Sequence, residues 1–205
     1  MRIQVFLPLA AALAVLVTGC ATTKSLPASY IGGENKLSIQ LVKIPAKPRI
    51  EAGSGGGGGL AAAIAASVND AIEQNRLAKR MGEVSPDEVV NLIMTKVEKE
   101  AALAVPVVKE GNNLLMEIEV ENWGWRRNTG LWVGPALAAL SSTIAAKVSV
   151  YDLAQGKVKV GEATITGAER VGRAPEHEDL RRGLEMSAQD LADKIRYFLE
   201  GKKVK

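Results

Sequence analysis

The sequence is poor in the residues that build redox, metal and aromatic sites. Its 205 residues include one cysteine, one histidine and only 4% aromatic residues. A single cysteine excludes an internal disulfide and a zinc site made of several cysteines. The formal net charge is only +3, whereas nucleic-acid binding usually shows a concentrated basic stripe. We therefore expect no cofactor and no nucleic-acid partner.

Long apolar runs are also missing, except near the amino terminus. Behind Arg2, residues 5–17 form an apolar segment. As a helix this segment would be about 20 Å long, less than the roughly 30 Å hydrocarbon core of a membrane. A short apolar segment behind a basic residue is typical of a signal peptide. The sequence thus predicts that residues 1–19 are removed.

The end of this segment, Leu16-Val17-Thr18-Gly19-Cys20, resembles the lipobox of bacterial lipoproteins. The resemblance implies a lipid on the Cys20 thiol, cleavage before Cys20 and acylation, as with palmitate, of the new amino terminus. The alternative is a small-residue cleavage site with an incidental thiol. Two or more acyl chains hold a protein stably at a membrane. Because residue 21 is Ala and not Asp, the resemblance also implies that the protein is sorted to the outer membrane. Its mature part would then face the periplasm.

The remaining chain predicts one domain with polar ends. Residues 20–36 are expected to form a lipidated tether, which as a flexible chain would reach roughly 20–25 Å. Residues 37–201 would form a single periplasmic domain, in which residues 45–59 are a glycine-rich loop. Residues 202–205 would be a basic tail.

Hydrophobic periodicity predicts the α+β class. Strand patterns with a period of two are found over residues 37–44, 114–122, 143–151 and 157–167, with a bulge near Gly161. Helical patterns cover residues 60–81, a segment beginning at Ser85, and residues 176–200. This order predicts a two-layer domain in which helices pack mainly on one face of an antiparallel sheet of four to five strands.

No group of residues predicts catalysis. Residues 53–58 match a G-x-G-x-x-G pattern, but prolines interrupt the strand that a dinucleotide site requires. His177 lies in an acidic first turn of a helix and has no cysteine or second histidine to share a metal. A strand carries alternating glutamates at Glu117, Glu119 and Glu121. This pattern is more typical of a solvated face than of a catalytic pair of carboxylates. We therefore expect no enzyme and no metal site.

One segment suggests a contact surface. All three tryptophans lie within residues 123–132 and accompany two arginines: Trp123, Trp125, Arg126, Arg127 and Trp132. Tryptophan and arginine dominate the energetics of protein interfaces. The alternative is a hairpin end whose rings only cover the sheet. Because glycines and Pro135 interrupt residues 123–135, we expect a loop or hairpin tip that exposes indole rings to a partner protein or the bilayer surface.

The organisation of residues 37–201 resembles that of small periplasmic lipoproteins. A Gly/Ala-rich helix follows a first strand, and the hairpin VYDLAQGKVKVGEATITG precedes a final amphipathic helix. Similar arrangements occur in auxiliary lipoproteins of envelope transport systems and in Tol N-terminal-like and curli-secretion-like folds. The resemblance implies a non-catalytic accessory or assembly lipoprotein that binds another envelope protein or its own copies. The alternative is a module that binds a lipid or a small apolar molecule between helices and sheet.

Overall fold

The computed structural model describes residues 24–31, 34–51, 75, 79, 84–128, 139–172 and 177–202. After a 3-10 turn at Ala28–Tyr30, the described elements are β1 (Leu37–Lys43), β2 (Arg49–Glu51), α1 (Pro86–Ala101), β3 (Leu114–Asn128), β4 (Ala139–Asp152), β5 (Val158–Gly172) and α2 (His177–Leu199). This is the predicted α+β class. Most of the helix predicted over residues 60–81 lies outside the described residues, which include only Asn75 and Lys79 from it, both helical.

The sheet is mixed, so the prediction of a wholly antiparallel sheet is wrong. Its order is β1-β3-β4-β5, and β2 pairs with the second half of β3. The hairpins β3–β4 and β4–β5 are antiparallel, whereas β1 and β2 both run parallel to β3. The reason is the chain between them, because a crossover that includes a helix returns the chain in its original direction. Residues 49–51, predicted as part of the glycine-rich loop, therefore add to the sheet.

The two described helices lie side by side and run in the same direction. Helix α1 begins as predicted, since the hydroxyl of Ser85 accepts a hydrogen bond from the Glu88 amide at 3.1 Å. Arg181 pairs with Glu88 at 3.2 Å near the two amino-terminal ends. Arg196 pairs with Glu100 at 2.9 Å near the two carboxyl-terminal ends. The helices thus form one layer, and their acidic first turns share one end of the molecule.

The core lies between this helix layer and one face of the sheet. Alternate residues of the strands are fully buried there, among them Leu37, Met116, Ile118, Ile144, Ala146, Val148, Val150, Ala163 and Ile165. Helix α2 approaches β5 closely at Gly167, where a Cβ atom would overlap the Ser187 carbonyl oxygen. The other face of the sheet carries the charged side chains.

The strands are longer than the alternation predicts, and two of the four register shifts among the described strands matter for the sequence predictions. The predicted bulge near Gly161 is confirmed, because the β4–β5 register shifts beside Val150. In β3 a second shift lies between Val120 and Asn122. It moves the inward and outward alternation of the following side chains by one residue. β3 continues to Asn128, well beyond the predicted end.

Candidate functional site

The segment that follows the lipobox cysteine packs on the domain. Lys24 exchanges two backbone hydrogen bonds with Glu162 of β5, at 2.8 and 3.0 Å. Leu26 is only 3% exposed and joins the hydrophobic core. The tether predicted over residues 20–36 is therefore wrong for residues 24–31. The polar composition of residues 24–31 did not indicate that the Leu26 side chain enters the core. It also did not indicate that the Lys24 backbone pairs with the edge of β5.

A polar cluster around Asp152 holds this segment in place. The Tyr30 hydroxyl donates to one carboxylate oxygen of Asp152 at 2.9 Å, and the Gln155 side chain donates to the same oxygen at 2.8 Å. The other oxygen accepts from the Ala154 amide at 2.8 Å. The hydrogen bond from Tyr30 lowers the pKa of Asp152, and the same bond raises the pKa of Tyr30. Asp152 thus joins the β4–β5 turn to the chain leading from Cys20.

Only half of this cluster could have been predicted from the sequence. An Asp that accepts from the amide two residues later is a usual start of a turn, so Asp152 was predictable as a turn residue. Its pairing with Tyr30 was not, because the two residues lie 122 positions apart and no local pattern connects them. Cys20 itself lies outside the described residues.

The tryptophans of β3 are buried, so the expected surface exposure is wrong for both. Trp123 and Trp125 are 0% exposed. Their rings meet edge to face, with centroids 6.3 Å apart. The Trp123 indole N–H donates to the Pro45 carbonyl at 2.8 Å. The bulge after Val120 places both rings on the helix-facing side of β3, which simple alternation along the sequence does not predict.

Gly124 is one reason why the sequence predicted a loop for this part of β3. Its φ is +143°, and a Cβ atom there would overlap the backbone carbonyl of Arg49 in β2. The glycine therefore lets β2 approach β3, and is not a break in the strand. Arg126 is exposed at the same end of β3. The Arg127 side chain and Trp132 lie outside the described residues, so their predicted contact role stays a prediction.

The strand glutamates belong to a network of ion pairs. Glu117 pairs with Lys157 at 2.9 Å, and Glu119 pairs with Lys43 at 2.7 Å. The hydrogen bond from Lys43 lowers the pKa of Glu119. A general acid needs the opposite shift in its pKa. These carboxylates therefore behave as parts of a charged sheet face.

A shallow groove of about 480 Å³ lies between the beginnings of α1 and α2. Its apolar lining comes from Val84, Val89, Leu92 and Leu184. Charged side chains surround it, namely Glu88, Glu178, Arg181, Arg182 and Glu185. The groove thus lies between the two helices, whereas the alternative ligand site was expected between helices and sheet.

Two absences among the described residues concern metals and membranes. Within residues 24–31, 34–51, 75, 79, 84–128, 139–172 and 177–202, no three His, Cys, Asp or Glu residues are grouped to hold a metal ion. His177 is the first residue of α2. In the same part of the chain, no helix has the length and apolar character needed to cross a membrane.

Comparison with known proteins gives similarity at the level of solved structures. No family model matches the sequence, and no curated protein matches it. The chain is similar to a PelC dodecamer from Paraburkholderia phytofirmans, at 15% identity over 89% of this chain and 98% of that chain, with a TM-score of 0.42. It is also similar to a minor lipoprotein from Acinetobacter baumannii, at 15% identity over 79% of this chain and 89% of that chain, with a TM-score of 0.39. These values are too low to transfer a residue role or an activity.

Proposed function

We propose that the chain is a lipid-anchored, non-catalytic protein of the bacterial cell envelope. The observation that carries the proposal is the place of the only cysteine, at the end of the lipobox-like sequence Leu16-Val17-Thr18-Gly19-Cys20. Only residues 21–23 separate Cys20 from Lys24, whose backbone is hydrogen-bonded to Glu162 of β5. In this proposal the acylated Cys20 holds the domain at the outer membrane, on its periplasmic side.

The charged groups of the domain support a role without catalysis. Glu117 and Glu119 are neutralised by lysines, and Asp152 is held by Tyr30 and the β4–β5 turn. Ser142 donates to the Gly183 carbonyl inside the core, so its hydroxyl serves helix packing. The chain would then act as an accessory or assembly component that binds another envelope protein or its own copies.

One observation favours a second function, the binding of a lipid or small apolar molecule. The groove between α1 and α2 has an apolar lining, and its volume of about 480 Å³ lies within the range of ligand sites. Native mass spectrometry of the protein purified from its membranes distinguishes the two functions. A bound lipid of defined mass supports the second function, and a ligand-free multimer or hetero-complex supports the first.

Substitution of the cysteine tests the anchor. Cys20→Ala removes the thiol that accepts lipid, so we expect no incorporation of labelled palmitate and accumulation of a longer precursor. Thr22→Ala is the matched control, because it lies two residues away and outside the lipobox, and should be processed normally. A Cys20→Ala protein of mature length in the outer membrane would refute the proposal.

A further inference from the structure

The distance between Cys20 and the packed domain is short. Four Cα-to-Cα steps separate Cys20 from Lys24, so even a fully extended chain spans at most about 14 Å. Lys24 is fixed to β5 by its two backbone hydrogen bonds with Glu162. A lipid on Cys20 would therefore hold one particular side of the domain close to the membrane.

That side is the β5 edge of the sheet. Gln40, Glu117, Ser149 and Glu162 are successive partners in one row across β1, β3, β4 and β5. Neighbouring strands lie about 4.8 Å apart, so the β1 edge is about 14 Å farther from Lys24. The anchor thus distinguishes the two edges.

Helix α2 contributes polar groups to the same side. The Lys194 ammonium donates to the Thr166 carbonyl of β5 at 2.9 Å, and the Ala168 amide donates to Asp190 at 3.0 Å. These bonds also occupy edge groups that would otherwise pair with another strand. One turn beyond Lys194 on α2 is Tyr197, 39% exposed, with the Lys202 ammonium 5.7 Å from its ring centroid. Tyrosine and lysine are suited to the layer between water and hydrocarbon.

We propose that the β5 edge and the adjoining side of α2 rest on the phospholipid head groups, with the β1 edge turned away from the membrane. This inference depends on the proposed function, because the lipid on Cys20 sets the distance. The polar lining fits contact with head groups rather than insertion among acyl chains. Beyond Leu37, which already pairs with Val107, the β1 edge would then be turned toward a protein partner.

The test places one fluorophore at either edge of the sheet. The lipid occupies the only native cysteine, so an introduced cysteine is the single free thiol of the processed protein. Thr164→Cys labels β5 and Gln40→Cys labels β1; both residues are exposed and lie on the open face of the sheet. The full-length processed proteins are reconstituted in phosphatidylethanolamine–phosphatidylglycerol vesicles that carry a nitroxide on the head group. We expect loss of fluorescence at position 164 and none at position 40.

Flotation of the vesicles separates the two ways of failing. Equal quenching at both positions, or stronger quenching at position 40, in protein that floats with the vesicles overturns the orientation but leaves the anchor intact. Protein that does not float overturns the proposed function, and the orientation with it. Insertion of twelve Gly/Ser residues after Ala21 would lengthen the flexible reach to roughly 20 Å. This insertion should abolish the difference between positions 164 and 40, and a difference that persists contradicts the role of the short linker.

Discussion

At the scale of single residues, burial in the core decides what the tryptophans of β3 do. Trp125 is 0% exposed and contacts Trp123 edge to face. We predict that Trp125→Ala lowers the free energy of unfolding by about 3–5 kcal/mol, because it removes a large buried ring and leaves a cavity. Urea unfolding followed by circular dichroism measures the change.

The neighbouring residue is the control for that substitution. Arg126 is exposed, so Arg126→Ala should change the free energy of unfolding by no more than about 0.5 kcal/mol. Wild-type stability in Trp125→Ala would show that the ring is not part of the core. The glycine and arginine beside the two rings suggested a surface loop because sequence reasoning could not locate the bulge that turns them inward.

The Tyr30–Asp152 hydrogen bond makes the stability of the fold depend on pH in the acidic range. The pKa of Asp152 is lower in the folded protein, so its contribution is complete above about pH 4, the ordinary pKa of Asp. That contribution is lost as the pH falls through the lower, folded-state value. We predict that Tyr30→Phe lowers the melting temperature at pH 7 and flattens its decrease on acidification.

Thermal melts between neutral and acidic pH check this prediction. Tyr151→Phe is the matched control, since it removes a hydroxyl next to Asp152 in sequence while the ring that faces Lys157 and Lys159 remains. An acid dependence of Tyr30→Phe equal to that of the wild type would mean that Tyr30 does not set the pKa of Asp152.

Among the helices and strands, the contact between α2 and β5 depends on having a glycine, with no side chain, at position 167. A Cβ atom at Gly167 would overlap the backbone carbonyl of Ser187. We predict that Gly167→Ala lowers the free energy of unfolding by about 1–3 kcal/mol, because the helix must move away from the sheet. Thr166→Ala changes the neighbouring exposed side chain and should have little effect in the same urea titration. Equal stability of both variants would contradict the close packing.

Local signals in the sequence were enough to predict the existence of most elements. Alternation found β3, β4 and β5, and the cap at Ser85 found the start of α1. The direction of β1 and the existence of β2 were not predictable, because pairing with β3 joins residues far apart in the chain. The same limit applies to residues 24–31, whose place on β5 depends on long-range partners.

In the described part of the chain, helices α1 and α2 form one layer on the sheet, and the first described residue, Lys24, follows the lipobox cysteine by four positions. Lipidation of the cysteine could be predicted because the motif that indicates it is local in the sequence. The short spacing matters only once the fold is known, since it requires knowing that Lys24 pairs with Glu162. With the proposed lipid on Cys20, this spacing would give the domain a membrane-facing edge and a far edge.

The lipid anchor is best tested by mass spectrometry of the amino-terminal peptide, from protein purified out of the membrane fraction. We expect the first residue to be Cys20, carrying a diacylglyceryl thioether on its sulfur and an acyl chain on its amino group. A mature amino terminus at any other residue, or an unmodified Cys20, would refute the lipid anchor.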